Sequence, residues 1–184
     1  MNRRLAQGFD GDERRSAVDA VEAVIALGAN LGQRADTIAA ALKELARLPL
    51  TDFVTAAEPI ESVALTPTGP DESAPGYLNT VAVVSTRLAP SVLLTYLHAI
   101  EERHGRAPRT ADQPRWQDRT LDLDLIAYGD VRSDDPALLL PHPRAAERDF
   151  VLGPWASVDP DAVLPGRGAV ADLLRALRES GGSR

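Results

Sequence analysis

Leu121-Asp122-Leu123-Asp124-Leu125 carries the plainest chemical pattern in this sequence. Side chains alternate along a strand, so the three leucines point into a core and the two aspartates point together out of the other face. Their Cα atoms then lie about 6.5–7 Å apart. Two carboxylates held side by side repel unless something positive lies between them, and aspartate is disfavoured in strands. A solvated strand face would carry the same pattern. The sharper reading is a carboxylate platform for divalent ions. Magnesium on nucleotide phosphates takes only one or two carboxylates from a protein, and a pair of ions can clamp a phosphoryl chain.

Cations approach this strand. Arg103, Arg106, Arg109, Arg115 and Arg119 precede it, with Trp116 among them. Guanidinium groups offer planar, permanently charged donors to phosphate oxygens. Arg106 and Arg119, nearest the structured elements beside the aspartates, are the functional candidates, whereas Arg103 and Arg115 read as solvated. Gly28-Ala29-Asn30-Leu31-Gly32 fits either a plain strand-to-helix turn or a cradle of backbone N–H groups for an anion. Tyr77 and Asn79 share a strand face and would suit a flat heteroaromatic ligand, by stacking and by edge hydrogen bonds. The same two residues would also pass as ordinary surface. His142, between Pro141 and Pro143, has no second histidine nearby at metal spacing, so it is not read as a zinc ligand.

The elements that must position these groups follow from periodicity. Glu22–Leu27 is a short apolar strand ended by Gly28. Thr37–Leu48 has helical spacing, with Asp36 as its cap and Pro49 as its stop. Phe53–Leu65 is a weaker strand interrupted near Pro59, and Thr66–Gly76 is a long Pro/Gly loop. Leu78–Leu88 is a strand, and Pro90 opens a helix that Gly105 ends. Gly105–Asp118 is a polar loop, and Thr120–Tyr128 alternates as a strand. A Pro-rich turn at Leu140–Pro143, a segment Phe150–Ser157 broken by Pro154, and a helix near Ala169–Arg178 complete the chain. The order β-α-β-β-α-β is the ferredoxin-like, split βαβ arrangement of the α+β class, here with additional C-terminal helices. Two helices would pack on one face of an antiparallel sheet and leave the other face for function.

Composition narrows the chemistry. With 184 residues, 44% of them hydrophobic, the chain can bury one domain-sized core. Residues 1–21, charged and without an apolar signal region, read as a flexible extension of a cytoplasmic protein, with residues 22–184 as the single domain. No cysteine is present, which removes thiolate and zinc-thiolate chemistry. A net charge of −7 argues against a nucleic-acid partner, and no apolar run is long enough for a membrane span. Lys43 is the only lysine and sits mid-helix, so no P-loop is available. Nucleotide phosphates would have to be held by arginines and metal ions.

Several segments together resemble the 6-hydroxymethyl-7,8-dihydropterin pyrophosphokinase family. They are Ala26-Leu-Gly-Ala-Asn-Leu31, Tyr77-Leu-Asn79, Glu101 through Gly105-Arg106, Arg119-Thr-Leu-Asp-Leu-Asp124, and Pro141-His-Pro-Arg144 with Glu147-Arg-Asp-Phe-Val-Leu152. The resemblance runs from about Val24 to Pro165, and Arg119 to Asp124 is its most specific part. It implies a ferredoxin-like monomer that transfers the β,γ-diphosphate of ATP to the hydroxymethyl group of the pterin in folate biosynthesis, leaving AMP. Asp122 and Asp124 would bind two magnesium ions. Gly28, Asn30, Tyr77, Asn79 and Phe150 would form the pterin site, with Tyr77 and Phe150 sandwiching the ring. Arg106 and Arg119 would neutralise charge on the transferring group. Glu101, Arg109, Trp116, His142 and Arg148 would serve ATP.

Three positions depart from the family pattern: Ala29 replaces a usual serine, Gln117-Asp118 follow Trp116 in place of Gly-Pro, and His98 replaces a glutamine. Two other functions fit parts of the sequence. An Asp-x-Asp glycosyl- or nucleotidyl-transferase would need a nucleotide-sugar unit for which the chain has no room. A ferredoxin-like ligand-sensing module would bind without turnover and would leave the outward aspartates unused.

Overall fold

Nine residues of near-continuous apolar character form β1 (Val21–Ala29), and their neighbours on both sides explain why. In the computed structural model, which describes residues 19–66, 69–71, 75–105 and 120–180, β1 is an inner strand. In chain order there follow α1 (Arg34–Leu45), β2 (Thr51–Ala56), β3 (Ile60–Ser62), β4 (Ala64–Thr66), β5 (Gly69–Asp71), β6 (Tyr77–Thr86), α2 (Pro90–Arg103) and β7 (Asp122–Tyr128). The hairpin β8 (Ser133–Asp135) and β9 (Leu138–Leu140), a 3-10 turn at Ala145–Glu147, α3 (Asp149–Val158), the short pair β10 (Val163–Leu164) and β11 (Gly168–Ala169), and α4 (Val170–Glu179) complete the order.

The main sheet runs β2-β6-β1-β7, every neighbouring pair antiparallel, with β3 also on β6. The split βαββαβ order read from the sequence is therefore the fold. On one face α1 contributes Ile38, Ala41 and Leu45, and α2 contributes Leu93, Leu97 and Ile100. They meet Ala23, Ile25, Leu27 and Ala29 of β1 and the three leucines at 121, 123 and 125. Pro90 at the N-terminal turn of α2 gives up no hydrogen bond there.

The other face differs from the expectation of an open surface. α3 and α4 cover part of it, packing Val151, Leu152, Trp155, Val170 and Leu174 on Val24, Val81, Ile126 and Ala127. A bulge makes this possible: the β1–β7 register shifts between Val24 and Ile25, so the consecutive residues Ile126 and Ala127 both join this second core.

Boundaries moved for identifiable reasons. α1 begins at Arg34, three residues before the expected start, with Gln33 at the cap position and Asp36 inside the first turn, not capping. Gly32, at φ +64°, makes the tight entry, and Arg34 N–H donates to its carbonyl at 3.0 Å. Pro154 does not break the chain: α3 continues through it, because burial of Val151, Leu152, Pro154 and Trp155 offsets the lost backbone bond. The expected loop 66–76 contains the second strand of the small β4–β5 ladder.

Candidate active site

Register places the chemistry. Across the sheet, Asp122 pairs with Gly28 and Gly28 with Asn79; one step further, Asp124 pairs with Ala26 and Ala26 with Val81. The central strand thus offers two of the smallest residues between a carboxylate strand and an amide strand. Two interstrand spacings make this floor roughly 10 Å wide. Gly28 must be small: a Cβ there would come within 3.0 Å of Asn79 Oδ1.

Above this floor lies a cleft lined by Ala26, Gly28, Ser62, Val63, Tyr77, Asn79, Thr80, Asp122, Asp124, Arg144, Arg148 and Phe150, among others. Its walls are partly aromatic and its polar groups converge from four elements. Asn79 is nearly buried, and its Nδ2 donates to Ser62 Oγ at 2.7 Å. Arg148, the residue before α3, donates from Nη1 to Asp124 Oδ2 at 2.8 Å, and its guanidinium lies 5.8 Å from the centroid of the Phe150 ring. One cation therefore joins the ring wall to the carboxylate pair.

A second cleft opens around the outer edge of β7, lined by Leu94, His98, Asp122 through Leu125, Pro136 through Leu140, His142 and Pro143. Asp122 and Asp124 line both clefts. His142 Nδ1 accepts the Arg144 backbone N–H at 3.2 Å. The neutral ring then carries its proton on Nε2, the nitrogen 3.9 Å from Asp124 Oδ2. Burial pushes this imidazole below its ordinary range; Asp124 pulls it upward, and Arg148 and Arg144 push it further down.

Glu101 has no exposed surface and lines neither cleft. Its Oε1 accepts the N–H of Leu123 at 2.9 Å, satisfying the outer edge of β7 between the two aspartates. Asn30 is likewise buried and outside the cleft linings. Of the other residues read from the sequence, Gly28, Tyr77, Asn79, Phe150, Arg148, Asp122 and Asp124 meet in the first cleft, and His142 meets the aspartates in the second. Arg106, Arg109, Trp116 and Arg119 lie outside the described residues. Not anticipated were Ser62, Val63 and Arg144 in the first cleft and Leu94 and His98 in the second. Arg144 follows His142 by two positions, a signal that the motif itself carried; Ser62 left none, because only the β3–β6 register brings it to Asn79.

Among the described residues no three His, Asp, Glu or Cys side chains gather as a metal site. The Asp122/Asp124 pair alone still fits magnesium, a hard cation that takes oxygen donors and draws its remaining ligands from phosphates and water. Arg148 already meets one of those oxygens, so the pair sits in a site built to hold positive charge.

The chain is similar to known proteins. The family model of 7,8-dihydro-6-hydroxymethylpterin-pyrophosphokinase (HPPK) matches residues 24–160. A 2-amino-4-hydroxy-6-hydroxymethyldihydropteridine pyrophosphokinase of Pseudomonas aeruginosa is 41% identical over 152 residues, covering 83% of this chain and 89% of that protein. Its counterpart from Haemophilus influenzae is 36% identical over 155 residues, covering 84% of this chain and 92% of that one. Among solved structures, a Plasmodium falciparum HPPK-DHPS superposes with a TM-score of 0.66 at 12% identity, over 90% of this chain and 48% of that longer one, a likeness of fold. No helix among the described residues is long and apolar enough to cross a membrane.

Proposed function

The chain belongs to the 7,8-dihydro-6-hydroxymethylpterin-pyrophosphokinase family, and from that premise we propose how its residues carry out pyrophosphoryl transfer from ATP to 6-hydroxymethyl-7,8-dihydropterin. The observation that carries the reading is the single carboxylate pair shared by two clefts. An acceptor and a donor that meet at one charged boundary need such a wall. The first cleft takes the pterin: Tyr77 and Phe150 hold the ring, Asn79 reads its edge, and the small residues Ala26 and Gly28 leave room beneath it. Asn30 supports the same turn from behind. The second cleft takes ATP, with Leu94, His98 and Leu138 through Leu140 around its nucleoside.

Asp122 and Asp124 hold two magnesium ions. When bound, these supply charge neutralisation on the phosphates. His142 offers its Nε2–H, and Arg148 its guanidinium, to phosphate oxygens. Glu101 acts at one remove, fixing the edge of β7 so that both aspartates keep their direction. By the family resemblance Arg106 and Arg119 stabilise the transferring group, while Arg109 and Trp116 serve the nucleotide. The pterin hydroxymethyl oxygen bonds to the β-phosphorus, the bond from that phosphorus to the α,β-bridging oxygen breaks, AMP leaves, and the alcohol proton passes to solvent. Positioning and charge stabilisation do most of the work in such transfers. The enzyme acts as a cytoplasmic monomer on small molecules.

Product analysis tests this. With ATP, magnesium and 6-hydroxymethyl-7,8-dihydropterin, AMP should form only when the pterin is present. ADP would contradict the chemistry. Tight ligand binding without any nucleotide product would instead favour a sensing module.

A further inference from the structure

Arg34 occupies a position where a cation is electrostatically misplaced. It is the first residue of α1, and the free N–H groups of a helix N-terminus disfavour added positive charge. Its partners account for it. Nη1 donates to Glu61 Oε2 at 2.7 Å, Nη2 donates to Glu61 Oε1 at 3.0 Å, and Nη1 also donates to the Gly76 carbonyl at 2.7 Å. Glu61 is in β3 and Gly76 directly precedes β6. One side chain therefore ties together the two ends of the segment that joins these strands.

Each anchor adjoins the acceptor cleft. Glu61 is followed by the lining residues Ser62 and Val63, and Gly76 by Tyr77. Ser62 and Tyr77 face each other in the β3–β6 ladder, and Ser62 holds the Asn79 amide. The approach is close: a Cβ on Gly76 would lie 3.1 Å from the Ser62 carbonyl oxygen and 3.9 Å from Arg34 Nη1. Arg34 itself is not among the cleft's lining residues.

We propose that Arg34 is a positioning residue for the acceptor cleft, setting the spacing between the Ser62–Val63 wall and the Tyr77–Asn79 wall. The proposal rests on the reading of that cleft as the pterin site. Holding the walls in place before the ring arrives removes an ordering cost from binding. A merely structural role makes a different prediction. With side chains 31% and 64% exposed, an ion pair such as Arg34–Glu61 contributes little to stability, so its loss would then be nearly silent.

The test is Arg34→Ala in the full chain, assayed for steady-state kinetics, equilibrium binding of 6-hydroxymethyl-7,8-dihydropterin, and thermal unfolding. The KM and Kd for the pterin should rise about tenfold, with kcat and the KM for ATP within about twofold of wild type. Arg34→Lys should recover part of the affinity, and Glu61→Gln should show a smaller loss of the same kind. Arg175→Ala, which breaks another surface pair, more exposed and remote from the cleft, with Asp172 on α4, should leave the pterin KM unchanged. An unchanged pterin Kd in Arg34→Ala, alongside an active wild type, would overturn the proposal. So would parallel losses in kcat, both KM values and thermal stability. Absence of AMP from the wild type would overturn the functional reading, and the proposal with it.

Discussion

The two faces of β1 are built to opposite ends. On one, Ala23, Ile25, Leu27 and Ala29 are sealed beneath α1 and α2. On the other, only Val24 is sealed; Ala26 and Gly28, further along the same strand, floor a cleft. The difference lies in how far the covering helices reach. α3 and α4 pack on Val24, Val81 and the bulge residues Ile126 and Ala127, and only the first turn of α3, with Phe150 and Val151, reaches the cleft that the carboxylates line. The proposed chemistry belongs to the end of the sheet that the helices leave open as a cleft.

The largest expected effect comes from breaking the open face. Asp124→Ala should lower kcat by about a thousandfold or more, near 4 kcal/mol, in a protein that still folds and still binds pterin. Single-turnover kinetics beside pterin titration would check it. Breaking the sealed face should do the reverse. Leu97→Ala empties fully buried space and should cost about 2–5 kcal/mol in denaturant unfolding, with KM values of the folded fraction unchanged. Next comes Tyr77→Ala, on the open face but away from the transferred group. Pterin affinity should fall about tenfold, or 1.4 kcal/mol, with kcat nearly intact.

The smallest effect belongs to the link between the helices of the sealed face. Glu44 of α1 accepts from Arg103 Nη2 at 2.6 Å and from Arg103 Nε at 2.8 Å, and its Oε1 lies 2.7 Å from His104 Nε2. Burial alone would raise the Glu44 carboxyl, but these hydrogen bonds outweigh it and hold it below its ordinary 4.5. A depressed carboxyl stabilises the fold above its unfolded pKa, and that contribution disappears as pH falls through the folded value. Glu44→Gln should therefore lose less than about 1 kcal/mol at neutral pH. The difference from wild type should shrink as pH drops below about 4.5 and leave kinetics unchanged at every pH.

Much of this contrast was legible in the sequence. The Leu121–Leu125 alternation assigned each residue to its observed face, and Tyr77 and Asn79 share a cleft as their spacing required. What escaped depends on long-range packing. The covering of the second face could not be read, because Pro154 argued locally against the helix that supplies it. Glu101 was read toward the nucleotide by resemblance, and its bond to the Leu123 N–H, a partner 22 residues away, could not be read from spacing. Arg34 gave no signal at all: Glu61 and Gly76 are 27 and 42 residues distant in sequence.

In the proposed mechanism Asp122 and Asp124 form the boundary at which two substrates in two clefts meet. A crystal structure with magnesium, a non-hydrolysable ATP analogue and the pterin tests it most directly. Metal density should lie on both aspartates, the pterin ring against Tyr77, Asn79 and Phe150, and the nucleotide around the β7 edge beside His142. Both ligands in a single cleft, or metal bound away from the aspartate pair, would contradict it.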